Sequence, residues 1–277
     1  MSRTLVFGLS GQLGDALLPH IDARLEPVLA ISRSEQADHP GIRWQRGTLQ
    51  EFGDAPAECE RILSLGPLDA FAEWVERTRP RVARVVAIGS TGVRDKRESP
   101  DPIDRDEAQR LAHAEASLFA FGQVNCTDVT VLRPTLLYGT GRDRSLTPLA
   151  HRARRWRGLP WPRSATGLRS PVHVDDVAQA VLACLDAPAS HGRAFDLPGG
   201  EVLAFDAMVT RHLQRHVPGA RLLRVPDTAF QAALAAAGLA GKGGRAKGWL
   251  WRARRDQDAE PHPARAAFGY MPRRFEP

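Results

Sequence analysis

One stretch near the start constrains this chain more than any other: Thr4-Leu5-Val6-Phe7-Gly8-Leu9-Ser10-Gly11-Gln12-Leu13-Gly14-Asp15-Ala16-Leu17-Leu18. A short apolar strand breaks into a turn punctuated by three glycines and passes into an apolar-periodic helix. A phosphate can approach a helix N-terminus where the backbone carries no Cβ, and the N–H groups and helix dipole there favour an anion. On this reading Gly8 permits the tight turn, Gly11 the close approach of a pyrophosphate and Gly14 the packing of helix on strand, with Ser10, Gln12 and Leu13 completing the cradle. The spacing is G-x-x-G-x-x-G rather than G-x-G-x-x-G, and turns of other kinds also use glycine. Context favours a dinucleotide, because a second apolar run, Pro27-Val28-Leu29-Ala30-Ile31, follows one helix later.

The second run ends at Ser32-Arg33-Ser34, where a dinucleotide fold meets the adenosine ribose. A carboxylate there would bond the ribose 2′-hydroxyl, whereas an arginine can pair with the 2′-phosphate of NADP. Arg33 points to NADP, and Glu35 keeps NAD as the alternative. Further strands are expected at Ile42–Gln45, Cys59–Leu65, Arg81–Ile88 and Val129–Leu132, with a helix from Leu68 to Arg77. Alternating strands and helices predict an α/β fold: a Rossmann-type doubly wound parallel sheet with helices on both faces. Ligands of such sheets bind at the carboxyl ends of the strands, which directs Ser90 and Thr91 to the cofactor site.

Asp104 with Glu107 three residues on has the form of a capping box, opening a helix through Phe121. A basic helix is expected from Thr147 to Trp156, followed by a loop to Trp161. The next helix runs to Leu185, with Asp175 or Asp176 as its cap. Peripheral helices are expected at Glu201–Arg215 and Thr228–Leu239.

Cys59, Cys126 and Cys184 are too few and too far apart for a disulfide framework or a metal cluster, so no metal is expected. No apolar run reaches the ~20 residues that span a bilayer, and no signal-peptide pattern opens the chain, which predicts a cytoplasmic protein. The net charge of +6 rests on arginine, since Lys96, Lys242 and Lys247 are the only lysines. Arginine suits phosphate and an anionic small-molecule substrate, although codon bias would also enrich it. The basic, aromatic stretch Gly241–Arg255 could meet nucleic acid or a membrane surface. A lid or solvated helix is the simpler reading, because nothing else here belongs to a nucleic-acid module.

Four segments, taken in order, carry a family likeness over nearly the whole chain: the glycine turn, Ile88-Gly89-Ser90-Thr91-Gly92-Val93, Leu132-Arg133-Pro134-Thr135-Leu136-Leu137-Tyr138-Gly139, and Arg169-Ser170-Pro171-Val172-His173-Val174-Asp175-Asp176. They resemble the extended short-chain dehydrogenase/reductase superfamily, most closely its NAD(P)-dependent nucleotide-sugar epimerase/dehydratase branch. The resemblance implies a Ser or Thr after the fifth strand, matched by Ser90 with Thr91 as second candidate, and a Tyr-x-x-x-Lys dyad on the next helix. Neither Tyr138 nor Tyr270 has a lysine four residues on. Counting back from Glu115 puts Glu107 where the tyrosine belongs and Leu111 where the lysine belongs, so Glu107 is a helix cap or an unusual acid/base group. Gly47-Thr48 replaces the usual Gly-Asp, and Arg94 replaces a usual tyrosine. The chain thus resembles an atypical member of the family.

The resemblance further implies that Arg169 contacts a nucleotide diphosphate, with Arg142, Arg144 and the arginines from Arg152 to Arg157 adding positive potential. It implies a homodimer, while His173 itself is expected to pack and hydrogen-bond between the domains. The domains are expected at residues 1–137 plus about 170–190 for the Rossmann part, and about 138–169 plus 191–277 for a smaller substrate-capping part. Two functions follow: an NADP-binding oxidoreductase or epimerase homologue acting on a phosphorylated or nucleotide-linked molecule, or a non-catalytic protein that keeps the fold for sensing or assembly.

Overall fold

The inner strands of the central sheet are buried on both faces, as runs such as Val28-Leu29-Ala30-Ile31 and Val85-Val86-Ala87-Ile88 require. The computed structural model describes residues 3–21, 25–143, 145–236 and 243–277. Its main sheet contains β1 (Thr4–Phe7), β2 (Val28–Ser32), β3 (Ile42–Arg46), β4 (Arg61–Ser64), β5 (Arg84–Ile88), β6 (Asp128–Pro134) and β11 (Arg193–Leu197). Three short pairs lie outside it: β7 (Leu137–Tyr138) with β10 (Val172–His173), β8 (Gly158–Pro162) with β13 (Arg221–Val225), and β9 (Leu168–Arg169) with β12 (Leu203–Ala204). The helices are α1 (Gln12–Leu17), α2 (Leu68–Thr78), α3 (Gly92–Asp95), α4 (Pro102–Asn125), α5 (Leu146–Trp156), α6 (Val174–Leu185), α7 (Phe205–His216), α8 (Asp227–Ala236), α9 (Gly243–Arg254) and α10 (His262–Phe268).

The seven main strands are parallel and lie in the order β11-β6-β5-β4-β1-β2-β3. This is the expected doubly wound sheet, and its order reverses between β1 and β4. On one face Val6, Val28, Ala30 and Val86 pack with Leu13 and Leu17 of α1 and Val177 and Val181 of α6. On the other, Leu5, Phe7, Ile62 and Val85 meet Phe71 and Trp74 of α2 and Leu118 of α4. A separate cluster of Tyr138, Leu146, Trp161, Phe205, Met208, Leu213 and Phe275 holds the second part of the chain.

Several local expectations change. The cap of α4 is Asp101, whose Oδ1 accepts from Ile103 N at 3.0 Å, with Pro102 at the first helical position. Asp104 and Glu107 therefore lie inside the helix and form no capping box, because the proline starts the helix earlier. The cap of α6 is His173, whose Nδ1 accepts from Asp175 N at 3.2 Å, rather than either aspartate. The expected loop before Trp161 is β8, which gains its ladder from β13, sixty-odd residues away and invisible to a local pattern. Arg193–Leu197 pairs with β6 as the sheet's edge, so the sheet-bearing part extends beyond residue 190. The expected helix end at Leu239, together with Arg144, Gly241 and Lys242, lies outside the described residues.

Two buried groups should dominate the stability response. Arg84 is 5% exposed in β5, and its guanidinium donates to Cys184 O at 2.7 Å, Asp128 O at 2.9 Å and Thr130 Oγ1 at 2.8 Å. Replacing it by methionine strands these buried acceptors, so Arg84→Met is expected to lower the unfolding free energy in urea by roughly 3 kcal/mol or more. His212 is buried with neither ring nitrogen bonded among the described residues, and burial first, then His216, pushes its pKa down to about 4. The neutral ring is therefore favoured on folding. Its stabilisation is full above pH ~6.5 and lost as pH falls towards 4, on the order of 3 kcal/mol across that window. His212→Leu should flatten the acid limb of the stability profile by about that amount in denaturant titrations run between pH 7 and pH 4.

Candidate active site

The crevice at the carboxyl ends of the strands opens where the sheet order reverses, and Gly8 ends β1 there with φ +83°. A Cβ on Gly8 would stand 3.0 Å from Gly66 N, so the turns after β1 and β4 touch backbone to backbone. Gly11 is the residue before α1, and its N–H bonds Gly8 O at 3.0 Å to close the turn. Gly14 is buried, and a Cβ there would collide with the Leu9 carbonyl, so its bareness serves the fold of the turn itself. Leu13 is buried beneath, while Ser10 and Gln12 remain partly accessible. Ser10 Oγ accepts from Ser32 Oγ at 3.2 Å, which joins the turn to the end of β2. Arg33 follows as an exposed side chain. This bare, concave backbone at a strand-to-helix junction fits a dinucleotide's phosphates and ribose.

The turn is covered from one side by the loop after β7. Thr140 Oγ1 donates to Gln12 Oε1 at 3.4 Å, and Arg142 forms an ion pair with Asp15 on α1. Arg142 is thus brought to the glycine turn rather than to Arg169.

Ser90 and Thr91 follow β5 as expected. Ser90 Oγ accepts from Gly92 N at 3.0 Å and is partly accessible, whereas Thr91 is buried. Glu107, one turn and a half into α4, reaches back across to Lys96, whose Nζ donates to its Oε1 at 2.5 Å. Lys96 was not singled out in the sequence. The signal available was compositional, because it is one of three lysines among 38 Lys and Arg residues. Below this pair, buried Glu115 accepts from Arg133 Nε at 2.8 Å and is gripped by a second guanidinium nitrogen, and Arg133 lies 3.7 Å from Asp196. Arg94 closes the chain of charges on Asp196 at 2.9 Å. The Glu115 interaction raises the Arg133 pKa first, against burial.

Both tyrosines are buried elsewhere. Tyr138 donates to Arg274 O at 3.3 Å and accepts from Glu276 N, and Tyr270 donates to Pro198 O at 2.7 Å. Burial raises the pKa of each. His173 packs edge-on to Tyr138 with ring centroids 5.1 Å apart, the structural role expected of it, and burial lowers its pKa.

Arg169 is 4% exposed. Its guanidinium donates to Leu168 O at 2.6 Å, Arg255 O at 2.8 Å and Arg252 O at 2.7 Å, and lies 4.6 Å from the Phe205 ring centre. It therefore caps the carbonyl end of α9, and burial lowers its pKa to about 10. In the described part of the basic stretch Leu250 and Ala253 are buried, while Arg254 and Arg255 stay exposed. Arg252 pairs with Asp104, Arg254 with Asp227 and Arg255 with Glu98, while Trp249 meets Trp161 and Phe230.

Residues 69–197 match the family model described as NAD dependent epimerase/dehydratase family. A UDP-glucose 4-epimerase of Vibrio cholerae is 24% identical over 114 residues, a segment covering 41% of this chain and 35% of that enzyme. Among solved structures, MoeE5 in complex with UDP-glucuronic acid and NAD superposes with a TM-score of 0.70 at 18% identity, over 98% of this chain and 93% of that one. The Bordetella bronchiseptica enzyme WbmF in complex with NAD+ and UDP gives 0.66 at 16% identity, over 97% and 86%. At these identities the structural likeness is one of fold. No described helix is long and apolar enough to cross a membrane.

The turn's geometry generates a direct test. Gly14→Ala drives a methyl group into backbone and is expected to destabilise the protein by about 1–3 kcal/mol in urea titration. Gly53→Ala, where a Cβ meets nothing within 4 Å, should stay within about 0.5 kcal/mol of wild type.

Proposed function

We propose that this epimerase/dehydratase-type chain binds a nicotinamide dinucleotide and acts as an epimerase, dehydratase or reductase on a phosphorylated or nucleotide-linked small molecule, through an atypical active site. The observation that carries the reading is the glycine turn at the reversal of the sheet, where Gly8 has φ +83° and packs backbone to backbone on Gly66. Gly8, Ser10, Gly11, Gln12, Leu13 and Gly14 would hold the pyrophosphate and Ser32 the adenosine ribose. Arg33 would pair with a 2′-phosphate, which favours NADP; the NAD named with the neighbouring structures supports the same cradle for NAD. When bound, the nicotinamide supplies hydride transfer.

Ser90 is the group we assign to polarising the reacting oxygen, with Thr91 behind it and Glu107 as a charged neighbour. For the anionic part of the substrate we assign Arg142, which its pair with Asp15 holds at the glycine turn, and Arg169, which would first have to leave the carbonyls at the end of α9. The epimerase/dehydratase match and the nucleotide sugars named with relatives support that substrate class. We extend the reading to a cytoplasmic homodimer, which light scattering of the purified protein would check.

A second reading, cofactor binding without turnover, draws on Arg169, whose donors are engaged by Leu168, Arg252 and Arg255 carbonyls. Calorimetric titration with NADPH, NADP, NADH and NAD tests the shared premise. Wild type should bind the phosphorylated pair at least tenfold more tightly, a difference of about 1.4 kcal/mol that Arg33→Ala abolishes. Binding of none of the four would overturn both readings.

A further inference from the structure

Lys96 stands at an unusual place for the chain's chemistry. It ends α3, and its Nζ donates to Glu107 Oε1 at 2.5 Å. Its aliphatic stem crosses Gly92: a Cβ built there would lie 3.2 Å from Ser90 Oγ and 3.5 and 3.6 Å from Lys96 Cδ and Cε. A bare glycine thus lets the lysine stem and the Ser90 hydroxyl flank one point beside the end of β5. Lys96 and Glu107 are both partly exposed, with side chains 24% and 38% accessible, so the pair communicates with solvent. The phenols of both tyrosines are occupied by backbone groups far along the chain, at Arg274, Glu276 and Pro198.

The residue type adds a second, independent observation. Arginine supplies nearly all the positive charge here, and a structural ion pair to Glu107 could use it. Arginine cannot give up a proton near neutral pH, whereas a lysine amine can. One of the three exceptions to the arginine usage falls beside Ser90.

We infer that Lys96 is the catalytic proton-transfer group for the oxygen polarised by Ser90, and that Glu107 completes a two-step relay to water. The inference rests on the nucleotide-linked oxidoreduction reading above and names its missing component. In the oxidation direction, a substrate C–H gives a hydride to the oxidised nicotinamide dinucleotide as co-reactant. The substrate O–H proton passes to Lys96 Nζ as Nζ–H passes to Glu107 Oε1, and a C=O bond forms. The pair begins as ammonium and carboxylate and ends as ammonium and carboxylic acid, having taken up the one proton released. Glu107 then returns that proton to solvent, and the reverse sequence protonates the oxygen when hydride comes back.

The test uses full-length protein with NAD or NADP and, as probes, UDP-glucose and UDP-glucuronic acid, reading reduced nicotinamide by absorbance and binding by calorimetry. Lys96→Arg keeps the charge and Lys96→Ala removes the side chain. Each should lower the single-turnover hydride-transfer rate by roughly 100-fold or more with nucleotide affinity unchanged within twofold. Added methylamine should restore part of the rate to Lys96→Ala and none to wild type, and Glu107→Gln should change the pH profile of the step. A Lys96→Arg rate within twofold of wild type overturns the proposal. So does failure of methylamine rescue, or a wild type that binds nucleotide and probe yet transfers no hydride. A wild type that binds neither nucleotide overturns the underlying reading instead, which keeps the two failures apart.

Discussion

A helix ends with carbonyls that its own backbone cannot bond, and burying such an end requires a donor from elsewhere. Among the described residues, two buried arginines solve the problem. Arg84 enters from β5 and takes Cys184 O and Leu185 O at the end of α6, while also holding Asp128 O in β6 and the hydroxyls of Thr130 and Ser190. Arg169 does the same for α9 through Arg252 O and Arg255 O. The negative end of each helix dipole also offsets part of the desolvation of a guanidinium, a benefit that a neutral donor would not share. Burial lowers the pKa of both side chains. The sheet and its α6 layer depend on the first contact, and the seating of α9 over the second part of the chain depends on the other.

Around these anchors the chemistry collects at one edge of the sheet. Parallel strands deliver their carboxyl ends to one side, and the reversal between β1 and β4 leaves a gap there that no crossover helix fills. Gly8 is bare there because a Cβ would run into the Gly66 backbone, whereas a Cβ on Gly66 would meet nothing within 4 Å. Ser90 follows β5, the next strand along, and α4 brings Glu107 over it from the following crossover. The charged chain Glu115–Arg133–Asp196–Arg94 ties α4, β6, β11 and the segment after β5 together beneath. Few of these groups are near one another in sequence.

That separation accounts for what could be read in advance. The glycine turn, the alternating strands and helices and the direction of Ser90 towards the crevice follow from local periodicity and turn chemistry, and the sheet has that architecture. Local signals were less reliable where two groups compete for one job. Asp101 with Pro102 starts α4 ahead of the Asp104–Glu107 pair, and His173 caps α6 in place of the aspartates beside it. β8 was illegible because its partner β13 lies far along the chain. Lys96 caps α3 and Glu107 lies eleven residues on in α4, so only the packing of α3 on α4 makes them neighbours. Arg169 stood out in the sequence as a cation, but its donors' partners depend on where α9 comes to rest.

The docking of α9 on Arg169 makes that arginine a shared resource. Its fork cannot satisfy the Arg252 and Arg255 carbonyls and an incoming anion with the same N–H groups. Any anion that recruits Arg169 must first release the end of α9, and the free energy of that release is subtracted from its affinity. Thermodynamic reciprocity would make this a communication line for an anion held by Arg169: whatever loosens α9, including loss of the Arg252–Asp104 pair near the start of α4, would strengthen that hold.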